Sequence, residues 1–121
     1  MSKKESFAIN RFKSIGYAFK GLMVLVKTEK SIQLQLIIAV VVTFAGFYYN
    51  ISSTEWMIQL IMIAVVMSVE GVNTAIEYIA DFIHPEHHPK IGLIKDIGAG
   101  AVFIASIIAI IVACIIYIPK L

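Results

Sequence analysis

Acidic residues recur at helical spacing near the middle of the chain, within sequence that is otherwise apolar. If this stretch is helical, with about 100° between successive residues, five polar side chains fall within an arc of about 80° on one face: those of Glu70, Asn73, Glu77, Asp81 and His84. Carboxylates one or two turns apart suit Mg²⁺, a hard cation usually held by one or two carboxylates together with substrate phosphates. The alternative is structural, with the acids lining an interface between helices or subunits.

The composition indicates that this acidic stripe belongs to a membrane protein. Of the 121 residues, 60% are hydrophobic and 15% are charged, whereas about 25% are charged in typical soluble domains. A soluble core of this size cannot cover so much apolar surface, so lipid must do so. The lone Cys114 excludes a disulfide within the chain, and without a GxxxxGK[ST] motif we expect no soluble P-loop nucleotide fold.

The first thirty residues are basic and amphipathic. Between about residues 6 and 26, apolar residues recur at spacings of three and four, which predicts a helix with one apolar face. Seven basic residues accompany this segment: Lys3, Lys4, Arg11, Lys13, Lys20, Lys27 and Lys30. We expect the helix to lie at the cytoplasmic membrane surface, where anionic headgroups attract it; the alternative is packing on the protein's own core. No continuous apolar run precedes Ile32, so we expect no cleaved signal peptide.

Three long apolar segments follow. We predict transmembrane helices over about residues 32–49, 55–84 and 91–118, giving an all-α membrane protein with a single domain over residues 1–121. Ser52 and Glu55 have the spacing of a capping box, so the second of these helices should start there. Pro85 and Pro89 should end it. Gln33 falls in the first turn of the first span, where we expect a solvated helix end.

The distribution of charge predicts the topology. Basic residues cluster before the first span and recur as Lys90 and Lys95 after the second, whereas the turn at residues 50–54 has none. With three spans, both basic regions lie on one side, which the positive-inside rule makes cytoplasmic. We therefore expect a multi-pass protein of the cytoplasmic (inner) membrane with a cytoplasmic N-terminus. The acidic stripe then shares one layer with Glu29, Lys95 and Asp96, and a lysine there suits phosphate oxygens.

The segment HPEHHP, residues 84–89, contains three histidines: His84, His87 and His88. Histidines are common ligands of transition metals, but no cysteine or HExxH motif accompanies them. We therefore favour a solvated loop at the membrane surface over a metal site.

Several segments together resemble the small prokaryotic membrane lipid kinases of the diacylglycerol kinase and undecaprenol kinase family. They are GYAFKGL (residues 16–22), Glu29, VEGVNTAIEYIAD (residues 69–81), EHH (residues 86–88) and KDIGAGAV (residues 95–102). The resemblance covers nearly the whole chain. It implies transfer of the γ-phosphoryl group of ATP, with Mg²⁺, to the hydroxyl of a membrane lipid alcohol at the cytoplasmic face. It also implies a homotrimer with active sites between subunits; we expect no nucleic-acid partner.

The resemblance implies roles for individual residues. Glu70 would be the catalytic acid or base beside the lipid hydroxyl, and Asn73 would orient it. Glu29 and Glu77 would hold the metal ions that bridge the ATP phosphates. The remaining residues would bind the nucleotide, with Lys95 on phosphate and the others lining the site: Tyr17, Glu86, His88 and Asp96.

The chain also departs from the diacylglycerol kinases of this family. Many of them have an arginine where Asn10 stands and a serine where Ala99 stands, and the HPEHHP loop is more similar to the undecaprenol kinase branch. The acceptor is therefore expected to be diacylglycerol or undecaprenol. The alternative from another functional class is a non-enzymatic membrane subunit, for assembly or ion conduction, in which the acidic stripe lines a polar seam between helices.

Overall fold

The computed structural model describes residues 6–121, and these residues form four α-helices. The helices are α1 (Phe7–Thr28), α2 (Lys30–Tyr48), α3 (Ser53–Ile83) and α4 (Pro89–Tyr117), and a short 3-10 helix (Ile118–Lys120) follows. Three of them, α2, α3 and α4 with its 3-10 extension, are long and apolar enough to cross a membrane. The predicted all-α membrane architecture is therefore confirmed. Lys3 and Lys4 of the basic cluster lie outside the described residues, and the single-domain assignment stays a prediction.

Helix α1 is an exposed amphipathic helix. Ser6 caps it, because its hydroxyl accepts a hydrogen bond from the Ile9 N–H at 3.2 Å. None of its residues is buried, and large apolar side chains such as Phe12 are fully open. Only its last turns approach the rest of the chain, where Leu25 contacts α3 at Gly71. An apolar helix face that the protein itself does not cover agrees with a location at the membrane surface.

Glu29 is the one non-helical residue between α1 and α2. Its extended backbone (φ −100°, ψ 112°) ends α1 and starts α2, and its N–H donates to the Leu25 carbonyl while its carbonyl accepts from the Gln33 N–H. The Gln33 side chain donates to the Val26 carbonyl at 2.9 Å. Our view of Gln33 as a solvated helix end is thus incomplete: it is exposed, yet it satisfies the last turn of α1.

The turn between α2 and α3 is built as the sequence predicts. The Ser52 hydroxyl accepts from the Glu55 N–H at 3.1 Å, and the Glu55 carboxylate accepts from the Ser52 N–H at 3.0 Å. These two bonds form the predicted capping box. Asn50 supplies the sharp reversal with a positive φ of 52°, a conformation that asparagine tolerates better than most residues.

Helices α3 and α4 form the most extensive interface, and α2 packs on α3. Helix α3 has 31 residues and is therefore about 45 Å long, more than the roughly 30 Å of a bilayer's hydrocarbon. Helix α4 begins at Pro89, two residues before the predicted start, because proline is well suited to the first turn of a helix and His88 caps it. The cytoplasmic end of α3, as the charge pattern predicts it, carries the acidic stripe beside the start of α4.

Candidate active site

The side chains of the acidic stripe become more exposed toward the C-terminus of α3. Glu70 and Asn73 are each only 8% exposed, Glu77 is half-buried, and Asp81 is exposed. His84 lies outside the helical stripe, because α3 ends at Ile83 and His84 adopts an extended backbone (φ −147°, ψ 87°). The stripe therefore runs from the protein interior to the surface within three turns of one helix.

The Glu70 carboxylate has no polar partner in the described part of the chain. Only the backbone of Glu70 is bonded, its carbonyl accepting from the Thr74 hydroxyl at 3.1 Å. A buried carboxylate is normally paired or hydrogen-bonded, because desolvating a charge is costly. Glu70 therefore keeps its oxygens available for a group that the chain itself does not supply.

Asn73 shows the same feature beside it. Its amide nitrogen donates to the Glu77 carboxylate at 3.4 Å, whereas its Oδ1 is buried with no partner among residues 6–121. An unpaired buried polar atom costs about 1–3 kcal/mol. Gly98 of α4 leaves room for the Asn73 side chain, because a Cβ at that position would overlap the Asn73 amide. In the sequence Gly98 stands only within the KDIGAGAV segment, because its contact with Asn73 depends on how the helices meet.

Glu29 reaches α3 next to Glu77. The Tyr78 hydroxyl donates to the Glu29 carboxylate at 3.4 Å, and Tyr78 directly follows Glu77 in the helix. The break between α1 and α2 at Glu29 therefore lies beside the acidic stripe of α3. The sequence predicts this, because it places Glu29 and the stripe in one layer at the membrane surface. Tyr78 was not among the predicted site residues, since its contact with Glu29 spans 49 positions of sequence.

These oxygen donors fit Mg²⁺. No group of three or more histidine, cysteine or acidic residues converges within the part of the chain that the structure describes. Mg²⁺ does not require one, because it keeps several waters and binds through one or two carboxylates plus substrate phosphates. Glu29 and Glu77 provide hard ligands of this kind, whereas three histidines at one site would suit a transition metal.

Lys95 forms an ion pair with Asp81. Its Nζ lies 2.6 Å from Asp81 Oδ1, with the two side chains 39% and 57% exposed. An exposed pair of this type contributes about 0–1 kcal/mol, so the pairing orients the lysine without holding it tightly. An incoming phosphate oxygen can therefore share or replace the Asp81 carboxylate. This contact joins the end of α3 to the first turns of α4, and it explains the place of Asp81 in the stripe.

The loop at residues 84–88 lies beside this ion pair and borders an open cleft of about 250 Å³. Glu86, His88, Asp81 and Lys95 line it. His88 also caps α4, because its Nδ1 accepts the Lys90 N–H at 3.0 Å. Two of the residues predicted to bind nucleotide are thus brought together with the predicted phosphate ligand Lys95.

Tyr17 and Asp96 are not brought to this cleft. Tyr17 is 71% exposed on α1, and no hydrogen bond or ring contact links it to another described residue. Asp96 is exposed on α4, adjacent in sequence to Lys95 but absent from the cleft wall. Within one chain, the candidate site therefore consists of the α3 stripe, Glu29, Lys95 and the loop.

Comparisons with known proteins find relatives over nearly the whole chain. The sequence profile described as prokaryotic diacylglycerol kinase matches residues 16–117. An undecaprenol kinase from Bacillus subtilis (strain 168) is 38% identical over 121 residues, which cover 99% of this chain and 98% of that protein. A diacylglycerol kinase from Escherichia coli (strain K12) is 31% identical over 103 residues, covering 85% of this chain and 84% of that protein.

Proposed function

The chain belongs to the prokaryotic diacylglycerol kinase family, and from this premise we propose that it phosphorylates a membrane lipid alcohol with ATP and Mg²⁺. It is a multi-pass membrane lipid kinase. The observation that carries the proposed chemistry is on α3, where the Asn73 Oδ1 is buried without a partner and the neighbouring Glu70, only 8% exposed, makes no side-chain hydrogen bond within residues 6–121. Groups left unpaired in this way are suited to receive a substrate.

Glu70 acts as the general base in this proposal. The lipid hydroxyl oxygen attacks the γ-phosphorus of ATP, the bond from that phosphorus to the β–γ bridging oxygen breaks, and ADP leaves. The hydroxyl proton passes to the Glu70 carboxylate, which has no internal partner to compete for it in the described chain. Asn73 lies one turn from Glu70 on the same face of α3, and its side-chain amide helps to orient the hydroxyl in this proposal.

Glu29 and Glu77 are the proposed ligands of Mg²⁺. When bound, the ion neutralises charge on the transferring phosphate, which is the main requirement of phosphoryl transfer. Tyr78 holds the Glu29 carboxylate at the face of α3, and Asn73 restrains Glu77. Both carboxylates are thereby oriented before any ligand arrives.

The nucleotide occupies the surface end of the stripe in this proposal. Lys95 binds phosphate oxygens, and Asp81 keeps its ammonium at the cleft until they arrive. Glu86 and His88 contact the remainder of the nucleotide from the loop. The order along α3, with the base buried and the nucleotide cleft exposed, places a membrane alcohol and a water-borne nucleotide at opposite ends of one stripe.

Tyr17 and Asp96 complete the nucleotide site from a neighbouring subunit in our proposal. Tyr17 is exposed and does not line the cleft of its own chain, and α1 leaves large apolar side chains uncovered. A homotrimer with shared sites, as in the family resemblance, gives these residues a role. The positive-inside pattern supports a cytoplasmic N-terminus, with the site at the cytoplasmic face of the inner membrane.

The proposed acceptor is undecaprenol or diacylglycerol. Undecaprenol is the first to test, because the B. subtilis undecaprenol kinase matches over almost the full chain at 38% identity. Purified protein in lipid bilayers would be given labelled ATP and Mg²⁺ with each alcohol separately.

We expect labelled lipid phosphate with at least one alcohol, and none when the metal is chelated. If neither alcohol is labelled, the proposed reaction is wrong and a non-enzymatic subunit accounts better for the acidic stripe. If transfer persists under chelation, the Mg²⁺ role of Glu29 and Glu77 is wrong while the kinase function stands.

A further inference from the structure

The loop between α3 and α4 needs an internal support that the backbone does not provide. Pro85 lacks an N–H group, and no backbone–backbone hydrogen bond joins two of the five residues 84–88. The loop nevertheless carries Glu86 and His88, which the proposed function assigns to the nucleotide. Side chains that hydrogen-bond to nearby backbone groups can fix the conformation of such a loop.

His84 supplies two such contacts. Its Nδ1 lies 2.8 Å from the Glu86 carbonyl oxygen, and its ring centroid lies 5.3 Å from that of His88, with the rings inclined at 64°. A carbonyl oxygen only accepts hydrogen bonds, so Nδ1 must carry the proton and donate. His84 is half-buried, and its contacts reach both proposed nucleotide residues of the loop.

The same network fixes the donor that His88 offers to a ligand. His88 Nδ1 accepts the Lys90 N–H, so in the neutral ring the proton resides on Nε2. The His84 ring packs against the ring that bears this donor. Rotation of His88 would therefore lose both the cap of α4 and the contact with His84.

We propose that His84 is a positioning residue for nucleotide binding, which holds Glu86 and the His88 ring in the arrangement that receives the nucleotide. This inference rests on the proposed function. His84 is not a catalytic residue, because the groups assigned to the transfer itself, Glu70 and Glu77, lie on α3 more than a turn away. Its removal should therefore weaken ATP binding without slowing the chemical step.

Three variants separate the two contacts of His84. His84→Asn keeps a donor at the position of Nδ1 and loses the ring, His84→Phe keeps a ring and loses the donor, and His84→Ala loses both. We expect His84→Ala to raise the KM for ATP about fivefold to tenfold, a loss on the scale of one hydrogen bond and one ring contact. The KM for the lipid alcohol and kcat should stay within about twofold. The Asn and Phe variants should each recover part of the loss.

A double-mutant cycle tests whether His84 acts through His88. Because the two rings are in contact, His84→Ala combined with His88→Ala should raise the KM for ATP by much less than the product of the single effects. The matched pair is His84→Ala with Tyr117→Phe, whose effects should be independent, since Tyr117 bonds Gln59 and the Val42 carbonyl far from the loop. Multiplicative effects in both cycles would overturn the inference.

Binding of a non-hydrolysable ATP analogue to the same proteins, measured by calorimetry, separates this inference from the proposed function. Wild type that phosphorylates no lipid contradicts the function, while weaker analogue binding by His84→Ala than by wild type still supports the role of His84. An unchanged ATP KM and analogue affinity in His84→Ala, or an equal fall in kcat and lipid affinity, contradicts it. If His84→Ala does not fold, His84→Phe carries the test, with a predicted increase of about threefold in the KM for ATP.

Discussion

Two regions of α3, its N-terminal end and its middle at residues 70–73, use polar residues in opposite ways. At its N-terminal end, Glu55 pairs with Lys120 at 2.8 Å, with both side chains about a quarter exposed. One turn further, the Tyr117 hydroxyl donates to Gln59 Oε1 at 2.5 Å, and the Gln59 amide donates to the Val42 carbonyl. Near the middle of the helix, the Asn73 Oδ1 is buried without a partner in the described residues, and the side chain of Glu70, 8% exposed, makes no hydrogen bond to them.

The difference separates polar groups that stabilise the fold from polar groups that await a ligand. Paired groups within a membrane bundle tie helices together, and their loss costs stability. Unpaired groups lower stability, and their retention is best explained by a ligand that completes them. Variants at the N-terminal end of α3 should therefore change stability and spare turnover, whereas variants at the acidic stripe should do the reverse.

Glu77→Gln should have the largest effect among the variants that sharpen this comparison. Loss of one proposed Mg²⁺ ligand should lower phosphoryl transfer by about a hundredfold or more and shift activation to higher Mg²⁺ concentration. Transfer rates measured across a Mg²⁺ titration check this. The same substitution at the N-terminal end of α3, Glu55→Gln, should leave the Mg²⁺ dependence unchanged. A normal Mg²⁺ profile for Glu77→Gln would remove Glu77 from the metal site.

Gly98→Ala should have an intermediate effect. The added methyl group would overlap the Asn73 amide and force it from its place, so we expect turnover to fall about tenfold. The matched control is Gly100→Ala, because a Cβ there meets no atom within 4 Å. That variant should keep its turnover and gain slightly in helix stability. Equal effects of the two substitutions would show that Asn73 needs no such close placement.

Tyr117→Phe should have the smallest effect on activity. It removes the hydroxyl that donates to Gln59 and lies 3.1 Å from the Val42 carbonyl oxygen. The free energy of unfolding should therefore fall by about 1–2 kcal/mol. Thermal unfolding in detergent measures that change, and turnover should stay within about twofold of wild type. A large loss of turnover at unchanged stability would contradict the proposed division between stabilising groups at the N-terminal end of α3 and ligand-binding groups in the acidic stripe.

The sequence predicts those features that depend on neighbouring residues. Ser52 with Glu55 forms the expected capping box, and the prolines around residues 85–89 separate α3 from α4. Helix ends agree within two residues, because apolar periodicity, caps and prolines are all local signals. The acidic stripe was also visible, since residues three and four apart share a helix face.

The contacts that complete the site were not visible in the sequence, because they join distant segments. Gly98 against Asn73, Tyr78 on Glu29, and Lys95 on Asp81 all depend on how the helices approach one another. Gln33 illustrates the same limit within a short span, since its bond to the end of α1 requires the sharp break at Glu29. Periodicity indicates which face of a helix is special, but only the packing shows which partner meets it.

Glu70→Gln tests the central claim most directly, because glutamine keeps the size of the side chain and removes its ability to take a proton. Transfer of labelled γ-phosphate to the lipid alcohol would be measured beside the affinity for a non-hydrolysable ATP analogue and the temperature of unfolding. The account predicts a fall in transfer of about a thousandfold or more, with nucleotide affinity and unfolding temperature close to wild type. Near-normal transfer by Glu70→Gln would contradict it.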